Sequence, residues 1–189
     1  VNFLRVIIFA VVALLQLSVP ASVIWKREQT LRHGRVWKFK TEPVDPVDAV
    51  RGRYIALRLA GDAIPAAQQS ESEQFPADTT IYVLLKEDAE GFAEIERVST
   101  TPMKGDNVIR TQAGSRWREK VRHINFPFDR LWVSEKVAPE AEKAYLENSR
   151  RDKENTYVTV RVREGDAALE QLFIGGESLA DYLRNHSAR

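Results

Sequence analysis

The chain has 189 residues, with 28 Lys and Arg against 27 Asp and Glu, three His and no Cys. That length fits one domain after an anchor, and the balanced charge gives no global field to draw in nucleic acid. The lack of Cys excludes a disulfide framework, thiolate catalysis and Cys-based zinc sites, and His33, His123 and His186 lack metal-ligand spacing, so no cofactor or metal is expected.

Residues 6–25 are uncharged and largely apolar, bounded by Arg5 and by Lys26 and Arg27, about the length that crosses roughly 30 Å of hydrocarbon as helix. Gln16, Ser18, Pro20 and Ser22 thin the second half of this run. Residues 6–15 alone have the length of a signal-peptide core, with Val19, Pro20 and Ala21 as a small-residue cleavage site. A retained transmembrane anchor is the expectation, because apolar character resumes at Val23, Ile24 and Trp25, and Trp25 suits an interface; a cleaved signal is the alternative. Lys26, Arg27, Arg32, Arg35, Lys38 and Lys40 would, by the positive-inside rule alone, hold the following domain in the cytoplasm. A short charged segment before an apolar run is the usual export arrangement, and a single-pass protein with an extracytoplasmic domain is expected.

Residues 35–44 read as a first strand, rich in residues that fit a pleated surface. Asp45 and Pro46 then disfavour helix, Gly52 supplies backbone freedom, and residues 54–59 read as one strand with Ile55, Leu57 and Leu59 facing a core. Leu57 is therefore expected inside. Tyr54, on the opposite face, is expected under a helix with its hydroxyl bonded near Asp45 or Glu135. Residues 61–78 turn polar and small, which predicts a long, disordered surface loop. Residues 79–86 and 92–100 form a hairpin, and strands near 107–112 and 116–125 are expected to meet in a turn at Ala113 and Gly114.

A helix is predicted over residues 139–151, with Pro139 in its first turn, acids early, Arg150 and Arg151 late, and Ala141, Ala144, Tyr145 and Asn148 inward. Residues 157–163 and 168–174 form a last hairpin through Gly165 and Asp166. Residues 178–185 give a short terminal helix, capped by Ser178 or its neighbour, with Leu179, Tyr182 and Leu183 inward. The expected fold is α+β, mainly antiparallel β with one clear helix and a short C-terminal helix, preceded by an N-terminal transmembrane helix. The expected division is an anchor over residues 1–25 and a domain over 26–189.

Asp45, Asp48, Asp129 and Glu135 could serve acid/base chemistry if burial split their pKa values, yet Asp before Pro or before a helix is also ordinary turn chemistry. A signal-peptidase-like serine protease needs an Arg-Gly-Asp strand and a Ser-Met pair with a placed Lys. Arg51-Gly52-Arg53 and Thr101-Pro102-Met103-Lys104 do not supply them. Arg116, Arg118, Lys120 and Arg122 set four cations on one face of a strand, a binding row for anionic headgroups or an acidic partner, or simply a solvated or guarded edge.

Asp45, Pro46, Gly52, Tyr54 and Leu57 fall where the GDYXXLXY family of membrane-anchored bacterial proteins has its pattern, and the chain resembles that family. Arg53 stands where the family has Asp, and Leu59 where it has the last Tyr. The likeness continues through Phe126, Pro127, Phe128 and Asp129 to Glu135, Pro139 and Glu140, and into the final Gly-turned hairpin. The resemblance implies an N-terminal anchor, a small mainly β domain outside the cytoplasm, and association with a multi-pass membrane protein. It therefore points to a non-enzymatic accessory or interaction module. The alternative is a membrane-tethered hydrolase using carboxylates near Asp48 and Glu135.

The anchor reading predicts that the native protein stays in the membrane pellet through high-salt and carbonate washes. Release into the aqueous phase, or a mature terminus at Ser22, would contradict it.

Overall fold

The computed structural model describes residues 3–42, 54–64, 76, 78–117, 121–149 and 155–186, and the side chains of all of these except residues 115–117, 121 and 122. The architecture is α+β and mainly antiparallel, with one long apolar helix leading, one helix in the second half and a short helix closing it.

Helix α1, Phe3–His33, is long and apolar enough to cross a membrane. Large side chains from Phe3 to Trp25 stand exposed along it, and Thr30 is its one buried residue, so its apolar part is covered by nothing in the described chain. Ser18 and Ser22 donate their hydroxyls to the carbonyls of Leu15 and Val19, which satisfies them within the helix itself. The helix does not stop at Trp25. Residues 26–33 continue it for two more turns, with Glu28 and Arg32 paired across one turn at 2.6 Å.

A single residue, Gly34, separates α1 from β1, Arg35–Glu42. Its N–H donates to Thr30 O at 2.8 Å, closing the last turn, and the next residue, Arg35, already pairs with Val162 of strand β9, Thr156–Arg163. A Cβ at Gly34 would sit 2.5 Å from Thr30 O and 3.0 Å from Val162 O, so only glycine lets helix and sheet approach this closely. Arg161 Nη1 donates to Gly34 O and Arg163 Nη1 to Gln29 Oε1, both at 3.2 Å, and α1 packs along β9 and β10, Asp166–Ile174.

One sheet runs β11-β10-β9-β1-β3, where β3 is Arg58–Leu59 and β11 is Glu177–Ser178. Strand β9 is its centre, with Val158, Val160 and Val162 fully buried, each contributing about 1.5–3 kcal/mol by burial. The turn from β9 to β10 uses Glu164 and Gly165 at φ 49° and 92°, the two-residue geometry whose twist matches the strands. A second sheet runs β5-β4-β6-β7: Ala93–Ser99, Thr80–Glu87, Val108–Trp117 and Val121–Asn125. The β4 to β5 turn is held by Asp88, which accepts the N–H groups of Glu90 and Phe92 at 2.8 Å; the Phe92 bond leads in holding its carboxyl below the usual range. Trp37, Phe39 and the β9 valines join Ile81, Val83, Leu85, Ile109 and Ile124 in one core spanning both sheets. Buried Trp37 donates Nε1–H to Asp106 O at 2.9 Å, and Arg110 N–H reaches Gly165 O at 2.8 Å, so the sheets are also joined at one end by hydrogen bonds.

Four expectations need correction. Residues 54–59 are not one strand. Tyr54–Ala56, β2, pairs with an unforeseen strand β8, Arg130–Trp132, and β3 pairs with β1. The change of partner falls at Leu57, whose N–H donates to Asp129 O at 2.8 Å, while Ile55, Leu57 and Leu59 all stay buried. Ala113 and Gly114 are no turn, because β6 runs straight through them. The register shifts between Ala113 and Arg116, and a Cβ at Gly114 would lie 2.8 Å from His123 O, so the glycine serves a bulge rather than a reversal. The expected loop over residues 61–78 is pinned where it starts: Ala63 bridges His123, Ile124 N–H donates to Asp62 O, and Ile64 is buried, while residues 65–75 and 77 lie outside the described residues. Finally, Arg116 and Arg122 do not share a strand but face each other across β6 and β7.

The predicted helices are present. Helix α2, Ala138–Asn148, has Pro139 in its first turn and buries Ala141, Ala144, Tyr145 and Asn148. Helix α3, Leu179–His186, buries Leu179 and leaves Tyr182 and Leu183 against the core, with Ser178 Oγ accepting Asp181 N–H at 3.2 Å.

Gly34→Val should force the helix end away from Val162. We expect a cost of about 2 kcal/mol or more and a melting temperature lower by roughly 4–8 °C. An unchanged Tm would mean that helix and sheet are not tightly joined.

Candidate functional site

Of the motif residues singled out in the sequence, Asp45, Pro46, Asp48 and Gly52 lie outside the described residues. Tyr54 and Leu57 are described and part company. Leu57 enters the core. Tyr54 is half-buried and directly opposite Trp132, with ring centroids 5.4 Å apart in an edge arrangement, and the Arg130 guanidinium lies 5.1 Å from the Tyr54 ring. Tyr54, Ala56, Arg130 and Trp132 thus share one face of the small β2–β8 sheet, while Ile55 turns to the core and Leu131 packs against it. Trp132 is 66 % exposed, the most exposed large apolar side chain described outside α1.

The expected hydroxyl-bonded tyrosine under a helix is a different one. Tyr145, on α2, is buried and donates its hydroxyl to Glu42 O at 3.0 Å, pinning the helix to the end of β1. Burial pushes its phenol above the ordinary value near 10, outweighing contacts with Thr41 and Arg58 that act the other way. Beneath it, Thr41 and Thr156 share a 2.6 Å hydroxyl bond. Asn148 links onward to Ala144 O and to the Tyr182 hydroxyl of α3. No periodicity could flag Tyr145 as this link, since its partner is 103 residues away.

Glu135 is exposed in the turn leading into α2. Asp129 pairs with neighbouring Arg130 at 3.6 Å, and its carbonyl holds Leu57. A cavity of about 230 Å³ beside the motif strand is lined by Arg58, Asp62, Asn125, Phe126 and Asp129 among others. Asp62 there is occupied by His123 Nδ1 at 2.8 Å, which places His123 in a local pair rather than a ligand set. No group of three or more metal-ligating side chains occurs among the described residues. Of the cation row, Arg116 and Arg122 sit opposite one another near the end of the β6–β7 hairpin, and Arg118 and Lys120 lie outside the described residues.

A larger cavity, about 440 Å³, lies at the foot of α1. One wall is Trp25, Lys26, Gln29 and Thr30; the others are Pro102–Lys104 before β6, Arg110, and the turn between β9 and β10. Sequence reasoning missed it, because its walls come from segments brought together only by the junction at Gly34.

The family model described as GDYXXLXY protein matches residues 16–172, so the matched unit includes the second half of α1, the junction and both sheets up to β10. No curated protein and no solved structure matches the chain.

The raised phenol pKa fixes a sign. A folded-state pKa above the unfolded one gives stability that is complete below about pH 10 and lost as pH rises through the folded value. Tyr145→Phe should cost about 1 kcal/mol at neutral pH and flatten the alkaline loss of stability relative to the parent. Identical alkaline slopes in chemical denaturation would contradict the burial of this hydroxyl.

Proposed function

The chain belongs to the GDYXXLXY family, and on that premise we propose that it is a membrane-tethered, non-enzymatic interaction module. It is held by α1 with its domain outside the cytoplasm of a bacterial cell, and it docks beside a multi-pass membrane protein. The observation that carries this reading is the β2–β8 face, where Tyr54, Arg130 and an exposed Trp132 come together on the motif strand and its partner. Tyr, Trp and Arg are the residue types that anchor protein interfaces, because each buries a large surface and keeps a polar handle.

The tether supports the same reading. The apolar length of α1 is exposed, its serines are satisfied internally, and the helix passes into the central sheet through one residue. A domain joined this closely presents its faces at a set height above a bilayer, which suits a partner that is itself fixed in the membrane.

Detergent pull-down of the full chain from native membranes tests the proposal. Trp132→Ala with Arg130→Ala should leave the melting temperature nearly unchanged, as surface substitutions do, and weaken recovery of an integral membrane partner by about thirtyfold or more. Replacing Asp48 and Glu135 should leave that recovery intact. Recovery unaffected by the Trp132 and Arg130 changes, or abolished by loss of the two acids, would contradict the proposal.

A further inference from the structure

We propose that the cavity at the foot of α1 is a binding site for the anionic headgroup of a glycerophospholipid. The inference rests on the membrane reading above and goes beyond it. Trp25 closes the apolar run and is 64 % exposed, and Lys26 follows it directly, so these two side chains mark the depth at which hydrocarbon gives way to headgroups. The cavity opens at that depth. Its size, about 440 Å³, is that of an ordinary small-ligand site.

Its chemistry is cationic by balance. Lys26, Lys104, Arg110 and Arg163 line it against Glu164 and Asp166. The two guanidiniums are held in place: Arg110 Nη2 lies 3.5 Å from Asp166 Oδ1, and Arg163 Nη1 donates to Gln29 Oε1 at 3.2 Å. Each contact uses part of the five-donor fork and leaves donors for a phosphate. Neither Lys26 nor Lys104 forms an ion pair among the described residues, which leaves two mobile ammonium groups to meet the remaining charge.

The surface adjoining the cavity favours a lipid as the source of the phosphate. Above the cavity, on the helix side that carries Lys26 and Gln29, Val12, Leu15 and Val19 stand exposed on α1, a path along which acyl chains can lie while the headgroup is held below. A free phosphate would gain nothing from that surface. Pro102 and Met103 give the loop wall an apolar part, which fits a glycerol backbone better than a bare ion.

The test uses the full chain in nanodiscs of equal phosphatidylglycerol and phosphatidylcholine, with retained lipid counted by native mass spectrometry. The parent should retain phosphatidylglycerol preferentially. Lys104→Gln with Arg163→Gln should reduce the enrichment by about twenty-fivefold, at about fivefold per cation, while Lys86→Gln with Lys136→Gln, away from the cavity, should leave it unchanged. Equal retention of the two lipids, or enrichment that survives the first pair of changes, would overturn the proposal while leaving the tether intact. Displacement of the retained lipid by millimolar inorganic phosphate would also overturn it, as the site would then be one for the free ion. Failure of the parent to enter the discs would instead overturn the membrane reading.

Discussion

The close approach of Gly34 to Val162 is the constraint on which the rest of the structure depends. With no side chain in the way, the last turn of α1 closes on Thr30 while the following residue is already paired in the sheet. Arg161 and Arg163, from the outward face of β9, then clamp the helix end through Gly34 O and Gln29. Strand β9 is also the sheet's centre, bordered by β1 and β10. A force on the helix is therefore passed to the strand that carries the fully buried valines, not to a peripheral loop.

From that junction the molecule builds outward in two directions. Strand β1 leads through Trp37 and Phe39 into the shared core, and its far end is held by Tyr145, which brings α2 down beside the motif strand. On the other side, the turn between β9 and β10 meets β6 through Gly165 and Arg110, and this contact forms the wall opposite α1 at the cavity. The motif face, on the small β2–β8 sheet beside α2, and the basic cavity, at the foot of α1, thus lie toward opposite ends of β1. A partner at the first and a lipid at the second would both bind to a preformed surface, with little ordering to offset their gains.

Much of the fold was legible because it is written in short-range patterns. The alternation of Val158, Val160 and Val162 marked β9, and the spacing of Ala141, Ala144, Tyr145 and Asn148 marked the inner stripe of α2. The apolar run marked α1 but not its end, since hydropathy stops at Trp25 while good helix formers carry the backbone on to His33. What stayed hidden depends on distant partners. Gly114 looks like a turn until His123 is seen against it, and Leu57 gives no sign that its neighbours change sheets. Tyr145, inward as its helical spacing predicts, also takes the hydroxyl bond expected of Tyr54, for the same reason: a strand pattern shows which face a tyrosine takes but not whether a helix or solvent covers it. The candidate site was legible only in part. The motif marks strand β2, whereas Trp132 and the cavity at Trp25 follow from pairings that no local spacing records.

The close junction at Gly34 requires α1 and the β domain to move as one body. The absence of Cys allows a pair of spin labels to be placed without background, at Leu17→Cys in the apolar helix and Lys143→Cys on the exposed side of α2. Pulsed electron paramagnetic resonance on the full chain in lipid bilayers should give a single narrow distance distribution, which broadens in Gly34→Val. A broad or multiple distribution in the parent chain would show a flexible joint between helix and sheet, and would contradict the account.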